Sequence, residues 1–223
     1  MFQNIFKKKI KPHINYSESF RLIMECANNY MENKSKDEQL ILLDYLIDSL
    51  KIDLCATGTV FPWYNQPTAP FNPPFPSRVY DEIGSEIEIY GTKTEVSLES
   101  SSIYVRPWEN NRAFDSIIYL SNKDFVYDKD NHGSYYYDDI DLCYVYNGNH
   151  SINAGRYFKK GKIASVCCNM VLLYEHCYTD GLKWYNAHTN EVIAAVEDFR
   201  LAAIFEIARK RYNLIHDNSD TKT

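Results

Sequence analysis

Four consecutive residues, Gly148-Asn149-His150-Ser151, hold the properties that an anion site draws on. Glycine tolerates φ > 0 and lets a ligand approach the main chain closely. Asparagine and serine add hydrogen-bonding groups, and histidine titrates near neutrality, so it can donate, accept or carry a proton. The following residues, Ile152 to Lys160, read as a short helix. The first amides of a helix lack intrahelical acceptors and stand at the positive end of its dipole, which favours a phosphate or carboxylate there. Gly148, Asn149, His150 and Ser151 are therefore the candidate ligand-binding residues, and His150 is the first catalytic candidate. Turns into ordinary helices also use Gly, Asn and Ser, and Ser151 is a good N-cap. His150 is the member that capping does not require.

Other residues extend the list. His188 and Asn190 lie just ahead of a segment that reads as the last helix, making His188 a second catalytic candidate and Asn190 a binding one. Upstream of the glycine loop, Asp139 and Asp141 are the candidate ligands for Mg²⁺ beside a bound phosphate. Tyr135, Tyr136 and Tyr137 offer rings on which a base could stack. The six cysteines include no C-x-x-C pair. Cys167 and Cys168 would point to opposite faces of a strand, so reduced, packed thiols are expected rather than a zinc site.

Periodicity supplies the elements that must position these groups. Residues 1–15 form a basic arm with Lys7, Lys8, Lys9 and Lys11. A helical stripe follows through Phe20, Ile23, Met24, Ala27, Tyr30 and Met31. Ser35 and Glu38 spell a capping box before a second stripe of Leu40, Leu43, Ile47 and Leu50, which predicts a helical hairpin over 16–52. Six of the eight prolines lie from Pro62 to Pro76 among large aromatics. Within this Pro/aromatic connection, 53–84, the stretch 62–76 is predicted to be neither helix nor central strand and to offer a surface for a protein partner. Short strands follow around Ile87, Val96 and Ile103, with Gly91-Thr92 as a turn, then a short helix near 111–120 and a loop or hairpin tip over 123–139. Residues 139–147 alternate as a strand, 162–174 return as a buried strand, and 191–212 read as the final helix, stapled by Val192, Val196, Phe199, Ala203 and Ile207. Residues 85–215 are taken as one α+β domain and 216–223 as a tail. The fold class is α+β: a mixed β-sheet with flanking helices, an N-terminal helical hairpin and a long C-terminal helix.

Strand, G-x-x-R-x-x-A loop, helix, strand is the signature of the ParB/sulfiredoxin-like nucleotide-binding superfamily. Gly148 to Ala154, GNHSINA, resembles that loop, especially its G-N-H-R form, and the likeness covers Phe114 to Met170. The resemblance implies a loop that grips the phosphates of a nucleotide. The loop's arginine is Ser151 here, and Arg156, Lys159, Lys160 and Lys162 are the cations available to replace it. Asn149 stands where sulfiredoxin has its catalytic cysteine, which sets sulfinic acid reduction aside. No tandem helix-turn-helix region follows Met170, which disfavours a partition role. As a whole the sequence also resembles an uncharacterised bacterial protein family.

The net charge of −6, from 24 basic and 30 acidic residues, argues against broad nucleic-acid binding through a general positive field. No apolar run reaches the roughly 20 residues of a membrane span, and no secretory signal opens the chain, so a cytoplasmic protein is expected. The function expected is binding of a nucleotide or other phosphorylated small molecule at Gly148–Ser151, with Mg²⁺-dependent phosphoryl transfer or hydrolysis as its chemistry. The alternative is a non-catalytic interaction module using the Pro/aromatic segment.

Overall fold

A computed structural model describes residues 15–64 and 72–217. The basic arm before 15 and the last six residues lie outside the described residues. The helical hairpin forms as α1 (Tyr16–Met31) and α2 (Lys36–Tyr64). The capping box closes as read: the Ser35 N–H donates to Glu38 Oε2 at 2.9 Å and the Glu38 N–H to Ser35 Oγ at 3.4 Å. Ala27, Leu43, Ile47 and Leu54 are buried, whereas Tyr30, read as part of the first stripe, is exposed.

α2 runs a dozen residues beyond the stop near Lys51 that its stripe suggested and contains Pro62. A proline one turn from a helix end removes a single donor, and the chain beyond it need not continue the ladder. Gly58, in the same stretch, lets α2 cross the sheet closely. A Cβ there would lie 2.6 Å from the Val105 carbonyl oxygen and 2.8 Å from the Tyr104 ring.

Downstream come β1 (Val79–Tyr80), β2 (Glu86–Ile87), β3 (Tyr90–Ser97), β4 (Ser102–Tyr104), α3 (Asn110–Ser121), β5 (Gly133–Tyr137), β6 (Leu142–Asn147), α4 (Asn149–Tyr157) and β7 (Lys162–Cys168). The chain ends through α5 (Met170–His176), β8 (Cys177–Thr179), β9 (Lys183–Asn186), β10 (Val192–Ala195) and α6 (Phe199–His216). The main sheet has the order β3-β7-β5-β6-β4 and is mixed, with β7/β5 and β6/β4 parallel and the other pairs antiparallel. β8, β9 and β10 form a separate antiparallel sheet, and β1 pairs with β2. The fold is α+β, as the sequence pattern predicts.

Four local expectations are corrected. Gly91-Thr92 lies inside β3, at a register irregularity rather than a turn. The predicted hairpin tip at 123–139 contains β5, the central strand. The strand predicted over 162–174 stops at Cys168, where the Asn169 side chain accepts from the Val171 and Leu172 amides and starts α5. The last helix begins at Phe199, not Glu191; residues 192–195 are β10, and Asp198 caps α6 by accepting from the Arg200 N–H.

β6 is buried on both faces. Leu142 and Tyr144 join the larger core with α2, α5 and α6, while Cys143 and Val145 join a smaller one with Ile152 of α4. Phe75, which the sequence placed in a surface connection, is 2% exposed and packs on Tyr137, Trp184 and Phe205 at centroid distances of 4.8 to 5.8 Å. Truncating a buried aromatic costs about 3–5 kcal/mol. Phe75→Ala is therefore expected to lower the urea midpoint by that equivalent with the slope preserved. An unshifted midpoint would return this segment to the surface.

Candidate functional site

The order strand, Gly turn, helix, strand is present as β6–α4–β7, with β5 lying between the two strands in the sheet. Gly148 sits at φ +80°, ψ 22°, and no side chain caps α4. A Cβ at this position would meet His132 Cδ2 at 2.5 Å and the Asn131 carbonyl oxygen at 2.6 Å. The glycine is thus required by its own conformation and by the close seating of the 131–132 backbone. The helix starts at Asn149, so His150 and Ser151 belong to its first turn and Ser151 is not the N-cap.

Three contacts fix this turn. The Arg106 N–H donates to Asn149 Oδ1 at 2.8 Å. The Glu109 N–H, at the entrance of α3, donates to His150 Nε2 at 3.3 Å, which leaves the ring proton on Nδ1. That Nδ1 has no partner among the described residues, although the residue is only 7% exposed. His132, 8% exposed, accepts from the Asp128 N–H through Nδ1 at 3.0 Å and so donates from Nε2 to Ser151 Oγ at 2.9 Å. The serine hydroxyl in turn donates to the Gly148 carbonyl at 3.1 Å. A serine beside a histidine invites a nucleophile–base reading, but this hydrogen-bond order puts the proton on the wrong nitrogen for a base. Ser151 is held as a structural link.

The turn forms the floor of a cleft of about 1230 Å³ between α3, the 124–132 loop and the end of β6. Trp108, Arg112, Asp115, Ser116 and Tyr119 line one wall at helical spacing. Arg112 lies over the Trp108 ring, 5.0 Å from its centroid, and Trp108 meets His150 edge-on at 5.1 Å. Trp108, Tyr119 and Tyr146 are exposed and form an aromatic rim. The sequence reading missed this wall and His132. The spacing 108, 112, 115, 116, 119 was the available signal for the wall; nothing local marks His132, whose partner is 19 residues away.

Gly148, Asn149, His150 and Ser151 therefore come together as predicted. Other candidates do not join them. Arg156 is turned away from the cleft, with its guanidinium donating to the Ile103 carbonyl, Thr59 Oγ1 and Asn153 Oδ1; burial lowers its pKa. Arg112 is the cation that stands where the sequence expected Arg156. Lys160 and Lys162 bond the Lys123 carbonyl and Glu95, beyond the other end of α4. His188 and Asn190 sit in the turn between β9 and β10, not at a helix entrance: His188 Nε2 lies 2.8 Å from His176 Nδ1, and Asn190 Oδ1 accepts from Tyr178 OH.

Asp139 and Asp141 stand before β6, roughly 20 Å from the glycine turn at 3.3 Å per residue. Asp139 accepts from Tyr174 OH at 2.7 Å and pairs with Arg211 at 3.0 Å; Asp141 accepts from Tyr136 OH at 3.0 Å. Among the described residues no group of three or more His, Cys, Asp or Glu is placed to hold a metal. Tyr137 is buried in the larger core, and Tyr135 packs on Tyr90 and Tyr146 rather than offering a free face. In the 62–76 segment Trp63 is exposed beside Phe114, Phe75 is core, and residues 65–71 lie outside the described residues. All six cysteines are free, and no helix among the described residues is long and apolar enough to cross a membrane.

A family model described as a family of unknown function (DUF6710) matches residues 5–217, and the chain belongs to that family. No curated protein and no solved structure matches it.

Burial, then the Arg112 charge, holds His150 below the ordinary histidine pKa; burial, opposed by Asp128, does the same to His132. In the unfolded chain both rings take up a proton as pH falls through about 6.5. The folded rings do so only at lower pH, so the unfolded state binds more protons in that window and stability falls with pH below about 6.5. Unfolding measured from pH 7.5 to 5 is expected to show this loss. His150→Gln, which keeps an acceptor where Nε2 stands, should flatten part of it. Nitrogen-15 NMR at pH 7.5 should find the Nδ1–H tautomer at His150 and the Nε2–H tautomer at His132; the reverse at His132 would restore the base reading.

Proposed function

We propose that this chain binds a small phosphorylated ligand with a flat ring, of nucleotide type, in the cleft between α3 and α4, and that it holds the ligand rather than cleaving it. The observation that carries the reading is a large cleft whose floor is the start of α4, where no side chain caps the helix. Asn149 and His150 line it with Asn149 Oδ1 and His150 Nε2 already taken by backbone N–H groups, which leaves the Asn149 NH2 and the His150 Nδ1–H as donors, and Arg112 lines the wall. Such a surface complements anionic oxygens, and Arg112 supplies the charge that Ser151 cannot. Trp108, Tyr119 and Tyr146 give a planar ring places to stack.

Binding is proposed without a histidine base, since neither His150 nor His132 presents a free basic nitrogen. Magnesium, where it takes part, would enter with the ligand's phosphates. The six free thiols suit a reducing cytoplasm. For the alternative, a protein-contact module through 62–76, Trp63 is exposed beside Phe114 whereas Phe75 is committed to the core.

Titration calorimetry against nucleoside phosphates, with and without Mg²⁺, tests the proposal, with quenching of Trp108 fluorescence as a second readout. A hydrogen bond to a charged group contributes about 1.5–3 kcal/mol, so Arg112→Ala should weaken binding roughly 10–100-fold. His150→Ala should weaken it in the same direction. An absence of binding by the wild-type chain, or equal binding by both variants, removes the site.

A further inference from the structure

The charges on the cleft wall are not those of a polyphosphate site. Among the described lining residues Arg112 is the one cation, against the carboxylates of Asp115, Asp124 and Asp128. Asp128 is engaged locally, accepting from the Asp130 N–H and the Asn131 side chain. Asp115, one turn beyond Arg112 on α3, and Asp124, just past the end of that helix, have no hydrogen-bond or ion-pair partner among the described residues. Lys93 and Lys129, cations on the other side of Tyr146, line a separate hollow of about 180 Å³.

One phosphate would be enough to engage the donors of the cleft: the α4 amides, the His150 Nδ1–H and Arg112. Further phosphates would extend along a wall whose remaining charges repel them within a Debye length. The same carboxylates accept hydrogen bonds from hydroxyl or amino groups, which a sugar or base carries and a phosphate chain does not. Resting on the nucleotide-type reading above, we infer that the cleft selects ligands bearing a single phosphate, of nucleoside monophosphate type, and discriminates against the corresponding triphosphates.

The test is calorimetry of the full chain at 50 mM NaCl in EDTA, using the mono- and triphosphates of adenosine, guanosine, cytidine and uridine as probes. For whichever base binds, the monophosphate is expected to bind at least roughly tenfold more tightly than the triphosphate. The ratio should shrink at 300 mM NaCl and in the Asp115→Asn/Asp124→Asn double variant, both substitutions being on exposed side chains. A triphosphate that binds as tightly as its monophosphate overturns the inference and leaves the site standing. A preference that neither salt nor the double variant changes also overturns it, because the carboxylates would then not be its cause. If no mononucleotide binds at all, the nucleotide reading fails, and this inference fails with it.

Discussion

A hydrogen bond from the Glu109 amide to His150 Nε2 joins the entrances of the two helices that shape the cleft. α3 and α4 are consecutive flanking helices separated by two strands of the main sheet, and their N-terminal ends have to meet for a floor and a wall to exist. The bond sets the imidazole against the Trp108 ring and decides which nitrogen carries the proton. The left-handed turn at Gly148 does the complementary work from the other side, bringing the start of α4 against the Asn131–His132 backbone. Floor and wall are thus registered by main-chain groups, while side chains supply the chemistry.

Much of this frame is legible from the residues alone. The period-two run ending at Asn147, the glycine after it and the helix that follows are local signals, and each lies close to its expected place. The capping box at Ser35 and Glu38 is equally local and equally readable. Errors arise where two patterns overlap or where a partner is distant. Val192, Ile193, Ala194 and Ala195 form an apolar run that continues at helical spacing into Phe199, so it merges with α6 unless Asp198 is recognised as a cap. Proline density suggested that no helix enters 62–76, yet α2 continues through Pro62 to Tyr64.

The candidate site divides in the same way. Gly148, Asn149, His150 and Ser151 are contiguous and could be named together. Arg112 and Asp115 sit on an exposed helix face that looks like any solvated surface until the loop opposite is known. His132 stands in a polar loop, and its role rests on a serine beyond two strands further along the chain. Asp139 looked like a metal ligand because carboxylates cluster there, but its true environment, Tyr174 and Arg211, comes from α5 and α6.

Both buried imidazoles take their orienting hydrogen bond from a peptide N–H rather than from an acidic side chain. Position 109 can therefore change identity without removing its donor, proline excepted, whereas the Asp128 side chain also holds its own loop by accepting from the Asp130 N–H and the Asn131 side chain. What is recognised could thus vary along the exposed α3 wall, at Arg112 and Asp115, while the main-chain donors that orient the two rings stay in place.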